Sequence, residues 1–419
     1  MKAATGFTKV GILVGGGPAP GINAVIGAAV VRAEQRGAQV IGILEGFKWL
    51  MQGADAIATH TRPLDTHDVR RIHLQGGSVL HTSRANPTKD PAQVEKCVEA
   101  LDALGVDVLV TIGGDDTAYS AITVARAAGG RLRVVHVPKT IDNDLPLPHG
   151  VPTFGYETAR EYAAMLVAGL QEDGHTMARW FFAEVMGRQA GFLSLGAGMA
   201  ADATITVIAE EFPGDPLRLD DVARTIEGAI VKRRALGHED GCAVIAEGIA
   251  ERLDPKDPLL EGVGRDEHGH IKLSEVPLAK VLAARIKASL AERGVPVAIN
   301  AKEIGYELRC LPPTAFDREY TRDLGVGAIE LLALGESGVL VTRESGRCIP
   351  VPFDELVDPR TGRTRVRYVD TESDVYRYAR ALQTRVEAED LDDAAMLERI
   401  ARAAGLSPEQ ARARYAPVS

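Results

Sequence analysis

No run of apolar residues in the sequence approaches the roughly 18 needed to cross a bilayer, so no transmembrane helix is expected. Cysteine is sparse: Cys97, Cys242, Cys310 and Cys348 form no C-x-x-C pair, and no histidine is spaced to complete a structural metal site. They read as reduced packing residues. Basic charge is not in excess either, since 48 Lys and Arg face 58 Asp and Glu for a formal net charge of -10. That argues against a nucleic-acid binder, whose affinity would depend on a broad basic face, so an anionic ligand has to meet positive charge gathered locally. The opening stretch, "MKAATGFTKVGILVGG", ends its short apolar segment in glycines rather than in a cleavage site. A secretory signal is therefore not expected, and the protein is expected in the cytoplasm.

What is present is ordinary folded-chain composition, 45% hydrophobic and 25% charged over 419 residues, a length that suggests two or three lobes at roughly 150 residues each. "KVGILV" (Lys9 to Val14) is a short β-branched run followed by Gly15, Gly16, Gly17 and a helical segment from about Ile22 to Gln35. The same alternation continues through "AQVIGIL", a helix from about Pro91, "VDVLVTI", a helix after Asp116 and "RVVHV". Apolar strands alternating with helices imply a parallel sheet covered on both faces. A second series begins after the Pro-rich "LPLPHGVP" (Leu145 to Pro152), with strands at "RWFFAEV", "ATITVI" and "CAVIAEG" and helices between them. The Gly-, Asp- and Pro-rich stretch from Leu253 to His270 reads as an exposed insertion. The last part of the chain, with Ser407 as a cap and Pro408 at a first helical position, reads as helical and peripheral.

In such sheets ligands bind beyond the carboxyl ends of the strands. Four expected strand ends carry unusual residues: "GGGPAPG" (Gly15 to Gly21), "GGDDT" (Gly113 to Thr117), "KTIDND" (Lys139 to Asp144) and "MGR" (Met186 to Arg188). The first is a glycine turn entering a helix, whose bare N–H groups and dipole favour a phosphate. It is neither G-x-G-x-x-G nor a nucleotide P-loop, and by itself it equally describes a tight βα turn. In "GGDDT" the glycines permit close approach and the two carboxylates offer oxygen ligands for Mg²⁺; the plainer reading makes Asp115 or Asp116 a helix cap. "KTIDND" holds Asp142, the candidate general base, where the plainer reading is an Asx-rich turn. Arg188, with Arg84, Arg179 and Arg309, can clamp a sugar phosphate through forked hydrogen bonds.

In this order and at these strand ends, the motifs resemble the phosphofructokinase family, over a span from Lys9 to about Leu340. The resemblance implies an α/β fold of two Rossmann-like lobes, with mainly parallel sheets covered by helices, plus a C-terminal helical extension. It implies a phosphoryl-donor lobe from residues 1–150 with about 310–365, and a sugar lobe from 151–309 with the insertion near 253–275. Residues 366–419 would form a peripheral helical region. The implied activity is Mg²⁺-dependent phosphoryl transfer to the C1 hydroxyl of fructose 6-phosphate, giving fructose 1,6-bisphosphate in glycolysis or gluconeogenesis. Asp142 resembles the family's proton acceptor, Asp115 its Mg²⁺ ligand, Gly16 the glycine that approaches the donor and Arg84 the arginine beside the donor phosphates. The sugar would be held by Thr140, Ile141 and Asp142, by Met186, Gly187 and Arg188, by Glu247, and by "YELR", Tyr306, Glu307, Leu308 and Arg309. Arg179 matches an arginine that reaches a neighbouring subunit's site, so the resemblance implies a homodimer or homotetramer with shared sites.

The donor follows from two departures. ATP-using members resemble "GGDG" and "PGTIDND", whereas this chain has Asp116 and Lys139 in place of both glycines. A carboxylate at 116 adds bulk and negative charge where a nucleotide's inner phosphate and ribose would lie. Lys139 adds a cation for the leaving phosphate in a reaction that is mostly positioning and electrostatics. Asp116 and Lys139 together with Asp142 are thus the expected catalytic set, with inorganic pyrophosphate as donor and phosphate as by-product. Pro18, Gln189 and Asn300 also depart from frequent family residues, the last with Lys302 nearby. Other readings remain open: an ATP-dependent 6-phosphofructokinase, a related kinase acting on sedoheptulose 7-phosphate, a lipid or NAD kinase, since a "GGDGT" motif also marks those families although "PKTIDND" and "MGR" argue against it, and a non-catalytic subunit that binds phosphosugars.

Overall fold

The computed structural model describes residues 6–265, 271–360 and 364–417. The chain divides into two compact units, Met1–Ala159 with Glu307–Arg367, and Arg160–Tyr306 with Tyr368–Ser419. The described strands are, in chain order, β1 (Lys9–Val14), β2 (Gln39–Ile43), β3 (Thr61–Leu64), β4 (Val108–Gly113), β5 (Arg133–Thr140), β6 (Phe154–Gly155), β7 (Trp180–Val185), β8 (Ile205–Val207), β9 (Gly241–Ala246), β10 (Ile299–Ile304), β11 (Val339–Glu344) and β12 (Arg347–Pro352).

The first unit holds the sheet β12-β11-β5-β4-β1-β2-β3, with β6 beside β5. Its middle is parallel, from β2 through β1, β4 and β5 to β11. Every residue of β4 is buried, and all of β1 except Lys9, as strands covered on both faces require. The two edges are antiparallel. Pro63 lies in edge strand β3, where its missing N–H leaves no ladder bond unmade on the outer side. β11 and β12 are joined through Ser345 and Gly346, whose φ values of 48° and 76° suit a two-residue hairpin turn. From β1 the chain runs to β2 on one side and later to β4 on the other. The carboxyl ends of β1 and β4 therefore meet at a topological switch point, where open sheets of this kind bind ligands.

The second unit has the all-parallel sheet β10-β7-β9-β8. Its core gathers Trp180, Phe182, Ile205 and Ile245 from the strands with Ile226 and Ile286 from helices Leu219–Ala235 and Leu278–Glu292. The tail is helical at Asp374–Ala381, Ala394–Ala404 and Pro408–Tyr415, and Ser407 caps the last of these through Gln410. The tail is not peripheral, however, since Val386, Leu397, Ile400 and Tyr415 belong to the same core. The reason is a buried carboxylate. Glu227 accepts bonds from Arg293 (2.7 Å), Arg414 (2.6 Å) and Tyr415 (2.7 Å). Burial alone would raise its pKa, but these donors hold it down at about 2. A cavity of about 50 Å³ beside the tail is lined by Arg224, Arg380, Arg385 and Arg414. Their charges are met by Asp221, Glu387, Glu211 and Glu227, a network that ties the tail down.

Residues 266–270 of the expected insertion lie outside the described residues. The rest includes short turns at Pro258–Leu260 and Leu273–Glu275, with Leu253 and Leu273 buried in the core. Among the described residues no helix is long and apolar enough to cross a membrane.

Candidate active site

In the first unit the glycine turn after β1 is fixed by its backbone. Gly15 donates to the carbonyl of Ile112 and Gly16 to that of Ser83, each at 2.8 Å, and Gly16 has a φ of 78°. The turn after β4 is pressed against it through Thr117. A Cβ on Gly15 would run into the Thr117 hydroxyl, and one on Gly113 would lie 2.5 Å from Thr117 Cβ. The carbonyl of Gly113 is held by His136 Nε2 at 2.9 Å, while His136 Nδ1 meets the Thr111 hydroxyl at 2.8 Å. Burial pushes the pKa of His136 down to about 3. The ring is therefore neutral, donating from Nε2 and accepting at Nδ1.

Gly114 takes the N-cap position of the helix Asp115–Ala127, and Asp115 and Asp116 fall in its first turn. The capping role that the sequence also allowed them goes to the glycine. Both carboxylates are exposed at the helix end whose dipole favours negative charge. Lys139, at the end of β5, is only 6% exposed, and its ammonium donates to the carbonyl of Gly17. Burial first, and then Arg309 and Arg84, push its pKa down to about 8 against the pull of Asp142 and Asp115. Arg309 lies over the same turn, since a Cβ on Gly17 would be 3.7 Å from its guanidinium carbon. The resemblance assigned Arg309 to the sugar phosphate; in this unit its neighbours are Gly17 and Lys139. Arg84 follows Ser83, which bridges to Gly15, and is exposed. Glu307 is exposed and Leu308 fully buried.

The turn after Lys139 is stitched from several sides. The Asp142 N–H donates to Thr140 Oγ1 at 3.1 Å. Thr153 donates through its hydroxyl to the Thr140 carbonyl at 2.7 Å and through its N–H to Asn143 Oδ1 at 3.1 Å. Ile141 is buried beneath it. Burial, then Asp142 and Asp115, push the carboxyl of Asp144 up to about 7. The first unit thus collects Gly16, Arg84, Asp115, Asp116, Lys139, Thr140, Ile141, Asp142 and Arg309 at the carboxyl ends of β1, β4 and β5. Three acids and three bases interleave there.

The second unit brings Met186, Gly187, Arg188 and Glu247 together at the adjacent carboxyl ends of β7 and β9. Gly187 donates its N–H to Glu247 Oε1 at 2.9 Å. A Cβ on Gly248 would lie 2.6 Å from the Arg188 carbonyl, so the two loops touch backbone to backbone. Met186 donates to the Ile304 carbonyl at 3.0 Å. Behind them Glu184 accepts the Ala279 N–H at 2.9 Å, and burial pushes its pKa up to about 8. Tyr306 is 62% exposed and donates to Ser274 Oγ at 3.3 Å. Arg179 stands apart: it precedes β7, at the opposite end of that strand from Met186, where it binds Asp173 at 2.9 Å and stacks on Phe181 at 5.2 Å.

Residues that sequence reasoning passed over include Thr117, Ser83, Asp144 and His136. Asp144 lay in plain view within "TIDND", and its raised pKa is visible only once its neighbours are placed. Thr117 closes the "GGDDT" motif but was given no role of its own, and His136 gave no signal beyond a position inside a strand. Among the described residues the one cluster of three potential metal ligands within 4.8 Å is the exposed Asp65, His67 and Asp68, away from these turns.

Residues 9–332 match the phosphofructokinase family. The chain is 49% identical to a pyrophosphate–fructose 6-phosphate 1-phosphotransferase of Thermotoga maritima, over 97% of this chain and 98% of that one. It is 45% identical to an enzyme of the same name from Naegleria fowleri, over 96% of this chain and 93% of the relative. Its fold is similar to the crystal structure of a pyrophosphate-dependent phosphofructokinase from Nitrosospira multiformis, with a TM-score of 0.67 at 18% identity, covering 90% of this chain and 93% of the other. With the family matched over most of its length and near-full-length relatives at this identity, the chain belongs to the phosphofructokinase family.

Proposed function

We propose that this chain transfers a phosphoryl group reversibly from inorganic pyrophosphate to fructose 6-phosphate. The new bond forms between the sugar's O1 and phosphorus, the bridging P–O bond of pyrophosphate breaks, and the products are fructose 1,6-bisphosphate and phosphate. The first unit is read as the donor side and the second as the sugar side. Asp142 accepts the proton of the C1 hydroxyl, a role that general-base catalysis typically makes worth about 10² to 10⁴ in rate. Lys139 neutralises charge on the phosphate that leaves, while the bulk and negative charge of Asp116 disfavour a nucleotide's inner phosphate. Gly16 and Arg84 contact the donor. Thr140, Ile141, Met186, Gly187, Arg188, Glu247 and the Tyr306 to Arg309 stretch contact the sugar phosphate, and Arg179 serves a neighbouring copy in a homodimer or homotetramer.

The carboxylate set suits a hard divalent cation: oxygen donors crowd the turns, and Asp144 is pushed toward its neutral form partly by Asp142 and Asp115. Mg²⁺ would be held by Asp115 together with donor phosphate oxygens, since Mg²⁺ typically takes one or two carboxylates and completes its shell with phosphates and water. When bound it supplies charge neutralisation on the donor. The chain's own part is to hold the donor on the glycine turn, to keep Asp142 aimed, and to keep a cation at Lys139.

The observation that carries this reading is Lys139 itself, a buried ammonium on the Gly17 carbonyl with Asp142 and Asp115 in its field. Purified protein with fructose 6-phosphate and Mg²⁺ is expected to turn over with pyrophosphate and not with ATP. Turnover with ATP alone would overturn the donor assignment.

A further inference from the structure

Arg367 has no role in any motif, lies far along the chain from the acidic turn, and ends the last segment of the first unit. Yet more hydrogen bonds converge on the turn from this residue than from any other described one. Its Nε donates to the carbonyl of Asn143 at 3.0 Å, one terminal nitrogen donates to the same carbonyl at 2.8 Å and to Asn143 Oδ1, and the other reaches the Val151 carbonyl at 3.1 Å. Its backbone N–H donates to the carbonyl of Asp144 at 2.7 Å.

Asn143 is where such support matters. Its φ is 57°, a left-handed conformation that side chains other than glycine adopt at some cost and that persists when the surroundings fix it. A carbonyl gripped by two nitrogens of one planar guanidinium has the Asn143–Asp144 peptide plane set, and with Asn143 Oδ1 held by the same group the residue that follows Asp142 is fixed on both its backbone and its side chain. The Asp142 N–H is tied to Thr140 on the other side. The bonds thus bracket the backbone of Asp142 on both sides. A lysine would supply the charge but not the fork.

We infer that Arg367 is a positioning residue for phosphoryl transfer, holding the Asn143 peptide so that Asp142 is presented to the acceptor hydroxyl. This rests on the reading of Asp142 as the proton acceptor. It adds that the base is aimed by a segment well outside the motif-bearing part of the chain.

The test is steady-state kinetics of full-length Arg367→Ala, Arg367→Lys and Asp142→Asn, each checked for folding by thermal melting. In Arg367→Ala, kcat is expected to fall by about 10- to 100-fold, the range that a small misplacement of a reacting group produces. Both KM values should stay within about threefold, because no substrate contact is removed. Arg367→Lys should recover only part of the loss. If Arg367→Ala does not fold, Arg367→Lys decides: kcat well below wild type with unchanged KM supports the role, and wild-type kcat overturns it. A folded Arg367→Ala protein with wild-type kcat, or one whose loss lies in KM, overturns it as well. Asp142→Asn separates the two readings: full activity there refutes the base, whereas an inactive Asp142→Asn beside fully active Arg367 variants refutes only the positioning role.

Discussion

The ammonium of Lys139 rests on the backbone carbonyl of Gly17. One bond thus joins the end of β5 to the turn after β1. A lysine that is 6% exposed and has a pKa near 8 is still mostly protonated at pH 7, yet burial gives its charge more weight than a surface ammonium has. Gly17 anchors it where a donor on the glycine turn would meet it.

Replacing that cation should therefore lower turnover more than binding. Lys139→Met is expected to reduce kcat with pyrophosphate by about 100-fold or more, as loss of one preorganised charge stabiliser typically does, with a smaller change in KM. Asp116→Gly with Lys139→Gly should lose pyrophosphate use and admit ATP poorly. Initial rates with each donor at fixed Mg²⁺ measure both. If both single changes leave pyrophosphate turnover intact, the assigned roles are wrong.

Glu184 offers a test independent of catalysis. Its carboxyl is buried and its pKa is raised from 4.5 to about 8. Above pH 4.5 the unfolded chain releases this proton while the folded chain keeps it. Stability should therefore fall as pH rises from about 4.5 to about 8, by up to roughly 1.4 kcal/mol per pH unit from this group. Glu184→Gln keeps an oxygen to accept the Ala279 N–H but has no proton to lose. Melting curves across pH should find the variant level with wild type below pH 5 and increasingly more stable toward pH 8. A difference that does not depend on pH would refute the raised pKa.

The parts that could be read ahead of the structure are those whose signal is local. β1, β4 and β7 are continuous apolar runs, and the turns after them carry glycines at positions that need them. What stayed hidden depends on distant pairings. Edge strand β3 carries a proline and two exposed residues, so it has no apolar period to detect. The tail looked peripheral because its composition is polar, whereas its few apolar residues and the Arg414–Glu227 pair enter the core of the second unit. Arg367 and Thr117 matter through what they touch, and no spacing in the sequence announces that.

The tail clamp makes a prediction of its own. Arg414→Met leaves Glu227 with Arg293 and Tyr415 but takes away two of its bonds, which should cost about 1 to 3 kcal/mol at neutral pH. Glu227 has a folded pKa near 2 against an ordinary 4.5, so its contribution is present above about pH 4.5 and is lost as pH falls toward 2. Denaturant titrations should show the gap between variant and wild type narrowing over that window. A gap that is constant down to pH 2 would mean that the ion pair is not its source.

Thr117 links the two glycine turns, and its contacts predict an asymmetric rescue. A Cβ added at Gly15 would meet the Thr117 hydroxyl and Cγ2 first, with Thr117 Cβ itself at 3.2 Å; one added at Gly113 would lie 2.5 Å from Cβ. Gly15→Ala and Gly113→Ala should each destabilise by about 1 to 3 kcal/mol, the usual penalty of overpacking. Thr117→Ala removes the hydroxyl and Cγ2 but keeps Cβ. It should therefore restore most of the stability of Gly15→Ala and little of that of Gly113→Ala. In double-mutant cycles the first pair is expected to couple favourably by about 1 kcal/mol or more, within the range for residues in contact, and the second much less. Equal rescue of both would mean that the turns relax independently of Thr117, and that the spacing between Gly15 and Gly113 is set elsewhere.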